Sequence, residues 1–227
     1  PRLTKNTPIH AASPATVEEL PLWLAFLETM PRSLAPALLS PEEVAEQSSV
    51  IAHTDWSGSP GKGVVAAVVL SHGFYCYEPM DPSLYEPVDP KRNKVHASAV
   101  GEAAAVIALI HSHPEVFRNR CATIFTDNEG FTRRFNRSKT KKGSAALDAR
   151  IQDLALLLSS LNARLALIWT PGSECLADLL TRTLQEKGEQ RLTTRLAELL
   201  PFITFSKKPL SFPTPRNSPS MRPSSSP

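Results

Sequence analysis

Apolar residues along this chain switch between a period of two and a helical period. Gly63 to Leu70 (GVVAAVVL) is a continuous β-branched run bounded by turn residues, and Gly73 to Glu78 (GFYCYE) alternates apolar with polar positions. The two-residue break Ser71-His72 between them predicts an antiparallel hairpin. With a strand over Ser48 to Thr54 they form a meander, and Ala122 to Thr126 (ATIFT) and Arg164 to Trp169 add two short strands later. Between these lie a helix capped by Ser98 and stopped by Pro114, apolar nearly all round, and a brief helix around Phe131 and Phe135. A long helix from Ser144 carries the stripe Leu147, Ile151, Leu154 and Leu158. A final one, from about Ser173 to Gly188, turns Leu176, Leu179, Leu180 and Leu184 inward.

This order, βββαβαβα with an extra helix, predicts an α/β fold: a central mixed five-stranded sheet, three antiparallel strands and then parallel crossovers, flanked by helices. The domain is expected over residues 49–188. Residues 1–48 read as a proline-punctuated connector with one amphipathic patch, Leu20, Trp23, Leu24 and Leu27. Residues 189–208 read as a C-terminal extension. Residues 209–227, rich in Pro and Ser, are expected to be disordered because they bury too little apolar surface to offset their ordering entropy. Asp81 to Lys94, rich in proline and charge, reads as a loop.

Composition narrows the class only a little. At 227 residues the chain holds one well-buried domain with extensions, and a net charge of +3 is too small to argue for nucleic acid by itself. Cys76, Cys121 and Cys175 are widely separated, which suits free thiols in a reducing intracellular compartment, cytoplasm or nucleus, rather than a secreted disulfide framework. No apolar run approaches the roughly 20 residues that span a bilayer. The chain begins at Pro1, as expected of a piece of a longer reading frame.

Four acids occupy positions that are awkward for acids. Asp55 follows the first strand, Asp127 ends the fourth after Ile124 and Phe125, Glu102 lies early in the buried helix, and Asp178 lies in the final helix beside Ala177. Strand ends are where α/β folds place chemistry. If the four converge, their repulsion in a partly dry site requires compensation, which two Mg²⁺ ions, or Mn²⁺, would provide. The absence of a His/Cys cluster argues against zinc. A metal pair about 3.5–4 Å apart suits in-line phosphodiester displacement.

The stretches HTDWSGSPGKGVVAAVVL, VHASAVGEAAAVIAL, ATIFTDNEG and IWTPGSECLADLLTR resemble the four blocks of the ribonuclease H-like superfamily. They look most like the domain that follows reverse transcriptase in DIRS-like and LTR-type retrotransposons. The resemblance runs from about Val50 to Arg182, and the Leu20 to Leu27 patch resembles the connector to the polymerase. It implies a ribonuclease H-like fold and a metal-dependent endonuclease that cuts the RNA strand of RNA:DNA hybrids within a retroelement polyprotein. Its partners would be the hybrid and the polymerase domain of the same polyprotein. Asp55, Glu102, Asp127 and Asp178 would be the catalytic residues and the ligands of two Mg²⁺ ions. Many relatives carry a histidine in the loop before the last helix; Thr170 to Cys175 has none.

Arg133, Arg134, Arg137, Lys139, Lys141 and Lys142 form the densest positive stretch, read as a phosphate-binding flank or as a solvated loop. Ser57 and Asn128 are candidates for hydroxyl or phosphate contacts, or else turn residues that satisfy their own backbone. The six histidines are scattered and read as surface or core, with His53 and His96 near the acids in sequence. Rival readings are a non-catalytic ribonuclease H-like interaction module, which would need none of the acids, and a DDE-type recombinase with three acids in another arrangement. A 3′–5′ exonuclease would need an Asp-x-Glu on the first strand, which is absent.

Overall fold

The structure, a computed structural model, describes residues 40–59, 62–81, 94–136, 145–187 and 189–213. Its elements are α1 (Pro41–Glu46), β1 (Val50–Ser59), β2 (Lys62–Val69), β3 (Phe74–Met80), α2 (Lys94–Ser112), α3 (Pro114–Phe117) and β4 (Cys121–Thr126). They continue with α4 (Glu129–Asn136), α5 (Ala145–Ser160), β5 (Arg164–Trp169), α6 (Leu176–Lys187), α7 (Glu189–Leu199) and β6 (Ser206–Lys207). The sheet order is β5-β4-β1-β2-β3-β6. β1, β2 and β3 pair antiparallel, and β4 and β5 join beside β1 in parallel, the expected meander followed by crossovers.

The β2 run is apolar throughout because both faces of the sheet are covered. Val65, Ala67 and Val69 point into a large core with α2 and α5, where Leu109, Ile110 and Leu154 are fully buried. Ala66 and Val68 point the other way, onto Leu180 of α6 and Leu192 and Leu196 of α7. Burying one such aliphatic side chain contributes about 1.5–3 kcal/mol, so the strand is stabilised from two sides. Helix α2 is buried from Ala99 to Ile110, as its all-round apolar character requires.

Several boundaries differ from expectation for tertiary reasons. The sheet has six strands rather than five, because the chain returns after α7 and lays Ser206–Lys207 beside Phe74–Tyr75 of β3 in parallel. β1 does not stop at Thr54: it runs on through Asp55 to Ser59, paired with β2. The β2–β3 connection is a short 3-10 turn over Leu70–His72 that ends on Gly73 at φ 60°, a left-handed conformation glycine adopts without steric cost. α2 begins at Lys94, before Ser98, and α6 begins at Leu176 after a 3-10 turn over Gly172–Glu174.

The packed chain also extends past both expected ends of the domain. Ser40 caps α1 through a reciprocal pair with Glu43, and Val44 is buried, within the segment read as a connector. The disordered tail does not begin at Pro209: Leu210 is buried in the main core and Phe212 packs against it. His113 Nε2 donates to the Pro209 carbonyl at 3.0 Å, and the Ser211 N–H donates to Ser112 Oγ at 2.7 Å. Apolar contact and satisfied backbone groups together outweigh the composition of this short stretch. Thr214 onward, and the Leu20–Leu27 patch, lie outside the described residues.

Candidate metal centre

Asp55, Asp127 and Asp178 each offer a carboxylate oxygen, and the three oxygens lie within 4.8 Å of one another. They come from the middle of β1, the residue after β4, and the first turn of α6. Neighbouring parallel strands bring the first two side by side, and α6, packed on β1 and β2, lowers the third onto them. Asp55 and Asp178 are buried, and Asp127 is half-buried.

Glu102 approaches from α2 on the opposite face of the sheet and is 1% exposed. Its Oε1 accepts from the Trp56 N–H at 3.1 Å and its Oε2 accepts from Thr126 Oγ1 at 3.0 Å. The glutamate therefore bridges β1 and β4 at the residues next to Asp55 and Asp127. Each oxygen keeps a lone pair beyond these bonds. Close approach of α2 depends on Gly101: a Cβ there would lie 2.4 Å from the Trp56 ring.

Burial and mutual repulsion raise the carboxyls of Asp55, Glu102 and Asp127 above the ordinary carboxylate range. Burial pushes the Asp55 carboxyl up to about 6; a hydrogen bond from Thr181 opposes the rise, and the charges of Asp127 and Asp178 add to it. Burial, then the charges of Asp55 and Asp127, hold Glu102 well above the usual carboxylate range. Asp127 is raised by burial and then by Asp178, with Arg182 opposing. An all-oxygen donor set whose own repulsion favours protonation fits hard divalent cations, which would be held by Asp55, Asp127 and Asp178 with Glu102 alongside.

Sequence reasoning missed the groups that hold these acids in place. Thr181 Oγ1 donates to Asp55 Oδ2, and Arg182 Nε donates to Asp178 Oδ1 at 2.8 Å. Both residues sit three and four positions after Asp178 on one helix, a spacing that marks them as neighbours on its face. The indole Nε1 of Trp169, itself 47% exposed, donates to the Asp127 carbonyl at 3.0 Å. Gly172 in the β5–α6 loop folds against the acids: a Cβ there would lie 3.1 Å from Asp127 Oδ2 and 3.4 Å from Asp178 Oδ2.

The remaining residues singled out from the sequence divide. The Asn128 side chain accepts from the Phe131 N–H at 2.9 Å and donates to Ser98 Oγ at 2.9 Å, so it caps α4 and ties it to α2. Ser57 lies two positions beyond Asp55 on the same face of β1 and is half-buried. Arg133 is exposed and paired with Glu129, whereas Arg134 reaches Asp148 through two bonds of 2.9 and 2.8 Å and fastens α4 to α5. Arg137, Lys139, Lys141 and Lys142 lie outside the described residues. His53 stacks on Phe125 with ring centroids 4.8 Å apart, and its Nδ1 accepts from the Leu176 N–H at 3.4 Å. Burial lowers it to about 4, so it is neutral and seats the start of α6. Cys76 and Cys175 are free and buried, and burial pushes both thiols up to about 12.

No protein-family model matches the sequence, and no curated protein matches it either. Among solved structures, RNase H1 from the halophilic archaeon Halobacterium salinarum NRC-1 is similar at 12% identity and TM-score 0.42, over 55% of this chain and 86% of that one. The N-terminal RNase H domain of rv2228c from Mycobacterium tuberculosis, solved as a fusion with maltose-binding protein, is similar at 14% identity and TM-score 0.42, over 66% and 96%. LC11-RNase H1 in complex with RNA/DNA hybrid is similar at 13% identity and TM-score 0.38, over 56% and 88%.

Proposed function

We propose that this chain is a metal-dependent endonuclease that cleaves the RNA strand of RNA:DNA hybrids, as the ribonuclease H domain of a retroelement reverse transcriptase polyprotein acting inside the cell. The observation that carries this reading is the convergence of Asp55, Asp127 and Asp178 within 4.8 Å, with Glu102 against the same strands. These are the four acids that the sequence resemblance singles out, in its order, from segments far apart in the chain. The polymerase partner and retroelement origin rest on that resemblance. A polymerase domain upstream in the full reading frame is their check.

Two Mg²⁺ or Mn²⁺ ions, when bound, supply charge neutralisation and Lewis acidity for in-line phosphodiester displacement. The chain's own residues prepare that site. Trp56 N–H and Thr126 Oγ1 orient Glu102, Thr181 orients Asp55, and Arg182 tethers Asp178, so the acids keep their positions when no phosphate is present. Asp127, the least buried of the three aspartates, is the one most open to substrate. Exposed Arg133 is read as a phosphate contact, with Arg137, Lys139, Lys141 and Lys142 following it in sequence, and Ser57, on the same face of β1 as Asp55, as a further contact to the nucleic acid.

The test is cleavage of strand-labelled RNA:DNA hybrid, duplex DNA and single strands in Mg²⁺. The parent is expected to cut only the RNA of the hybrid, and a folded Asp127→Asn protein to be slower by about a hundredfold to a thousandfold or more. Wild-type-like cleavage by Asp127→Asn would remove that residue from its role. A parent that binds Mg²⁺ but cuts no substrate would favour the non-catalytic module.

A further inference from the structure

Helix α7 has two faces. Leu192 and Leu196 are buried against Leu180 and Tyr75, which fixes the helix on α6 and the sheet. Its other face, with Arg191, Thr194, Arg195 and Glu198, is exposed and lines a groove of about 610 Å³ shared with Arg182 and Thr183 of α6. Three guanidiniums face one carboxylate there, and the two threonines add hydroxyl donors. Arg195 shares Glu198 at 2.9 Å, and Arg191 has no ion-pair partner among the described residues. Leu179, beside Asp178 in sequence, also lines the groove, and Arg182 holds Asp178 at 2.8 Å. The groove between α6 and α7 and the carboxylate cluster thus share one residue, Arg182.

We propose that this groove binds the sugar-phosphate backbone of the nucleic acid as it leaves the carboxylate cluster, a proposal that rests on the hybrid-cleavage reading for the identity of that nucleic acid. Guanidinium forks match phosphate oxygens bidentately and are weakly hydrated, so they suit repeated phosphate contacts. Arg191 and Arg195 are one helical turn apart, about 5–6 Å at Cβ, and reach along the groove to neighbouring phosphates of one strand. Guanidiniums on two helices, with hydroxyl donors between them, suit the repeated phosphates of a polymer backbone better than one small anion. Its place beside the acids means that one duplex could occupy both.

The experiment compares the full chain with Arg191→Ala/Arg195→Ala and Arg191→Lys/Arg195→Lys versions, all in an Asp127→Asn background so that nothing is cut. Hybrid affinity is read by fluorescence anisotropy across a salt series. Loss of two phosphate contacts flattens the log-affinity against log-salt slope by about 1.8, so the parent's advantage shrinks roughly twelvefold between about 50 and about 200 mM salt. The lysine version should restore most of the slope, since it keeps both charges. Parent-like affinity and slope in the alanine version would overturn the groove, as would weaker binding with an unchanged slope or with a lowered Tm, which would make the arginines props for α7. Hybrid cleavage by the unmutated chain is measured separately. A chain that binds through Arg191 and Arg195 but never cuts leaves the groove standing and removes the nuclease reading. One that cuts while both arginines are dispensable does the reverse.

Discussion

Thr181 on α6 donates its hydroxyl to Asp55 on β1, and the same oxygen lies 3.0 Å from the Asp178 carbonyl, so one side chain links two of the three clustered aspartates. This bond opposes the rise that burial imposes on Asp55. Thr181→Val keeps the shape and removes the donor. The expected result is an intact fold, a pH–activity profile displaced to higher pH by up to about one unit, and a higher Mg²⁺ requirement. Identical pH and Mg²⁺ profiles in the two proteins would show that the hydroxyl only packs.

Metal and pH should trade off in stability. The folded-state Asp55 value, about 6, lies above its ordinary value of 3.8. The folded chain therefore holds that proton more tightly than the unfolded one, and the associated stability is complete below about pH 4 and lost as pH rises through 6. Its size is on the order of 3 kcal/mol. Metal-free protein should lose Tm across this window, Asp55→Asn should lose less, and Mg²⁺ at neutral pH should recover the loss in the parent alone. A parent and an Asp55→Asn variant with parallel Tm curves, with and without Mg²⁺, would contradict this account.

The C-terminal return is structural. A chain ending at Lys208 loses buried Leu210, the His113–Pro209 bond and the Ser112–Ser211 bonds. Together these are expected to lower stability by roughly 2–4 kcal/mol. A chain ending at Pro213 keeps them and serves as the reference in a denaturant titration. Equal midpoints would mean that the segment adds nothing.

Gly101→Ala tests how α2 seats Glu102. The added methyl meets the Trp56 ring at 2.4 Å, and a ring wedged between Gly58 and Gly101 has little room to move. Overpacking of this kind costs about 1–3 kcal/mol. Because the Trp56 N–H holds Glu102, cleavage should fall along with Tm, and Trp56 fluorescence should change. Full activity at reduced Tm would uncouple the wedge from the site.

The continuous β2 run, the alternating β3, the two later strands and the all-apolar helix around Glu102 were legible in the chain, because how much of each element is buried is carried in its local pattern. The order of Asp55, Glu102, Asp127 and Asp178 on those elements was legible for the same reason. What lay beyond the sequence was every contact whose partner is far along the chain. That Glu102 lies against Trp56 and Thr126, that Thr181 holds Asp55, and that residues 206–212 return to β3 and the core depend on how α2, α6 and the C-terminus pack across the sheet. Local periodicity says which face of an element is buried; only the assembled sheet decides which side chain from a hundred residues away it is buried against.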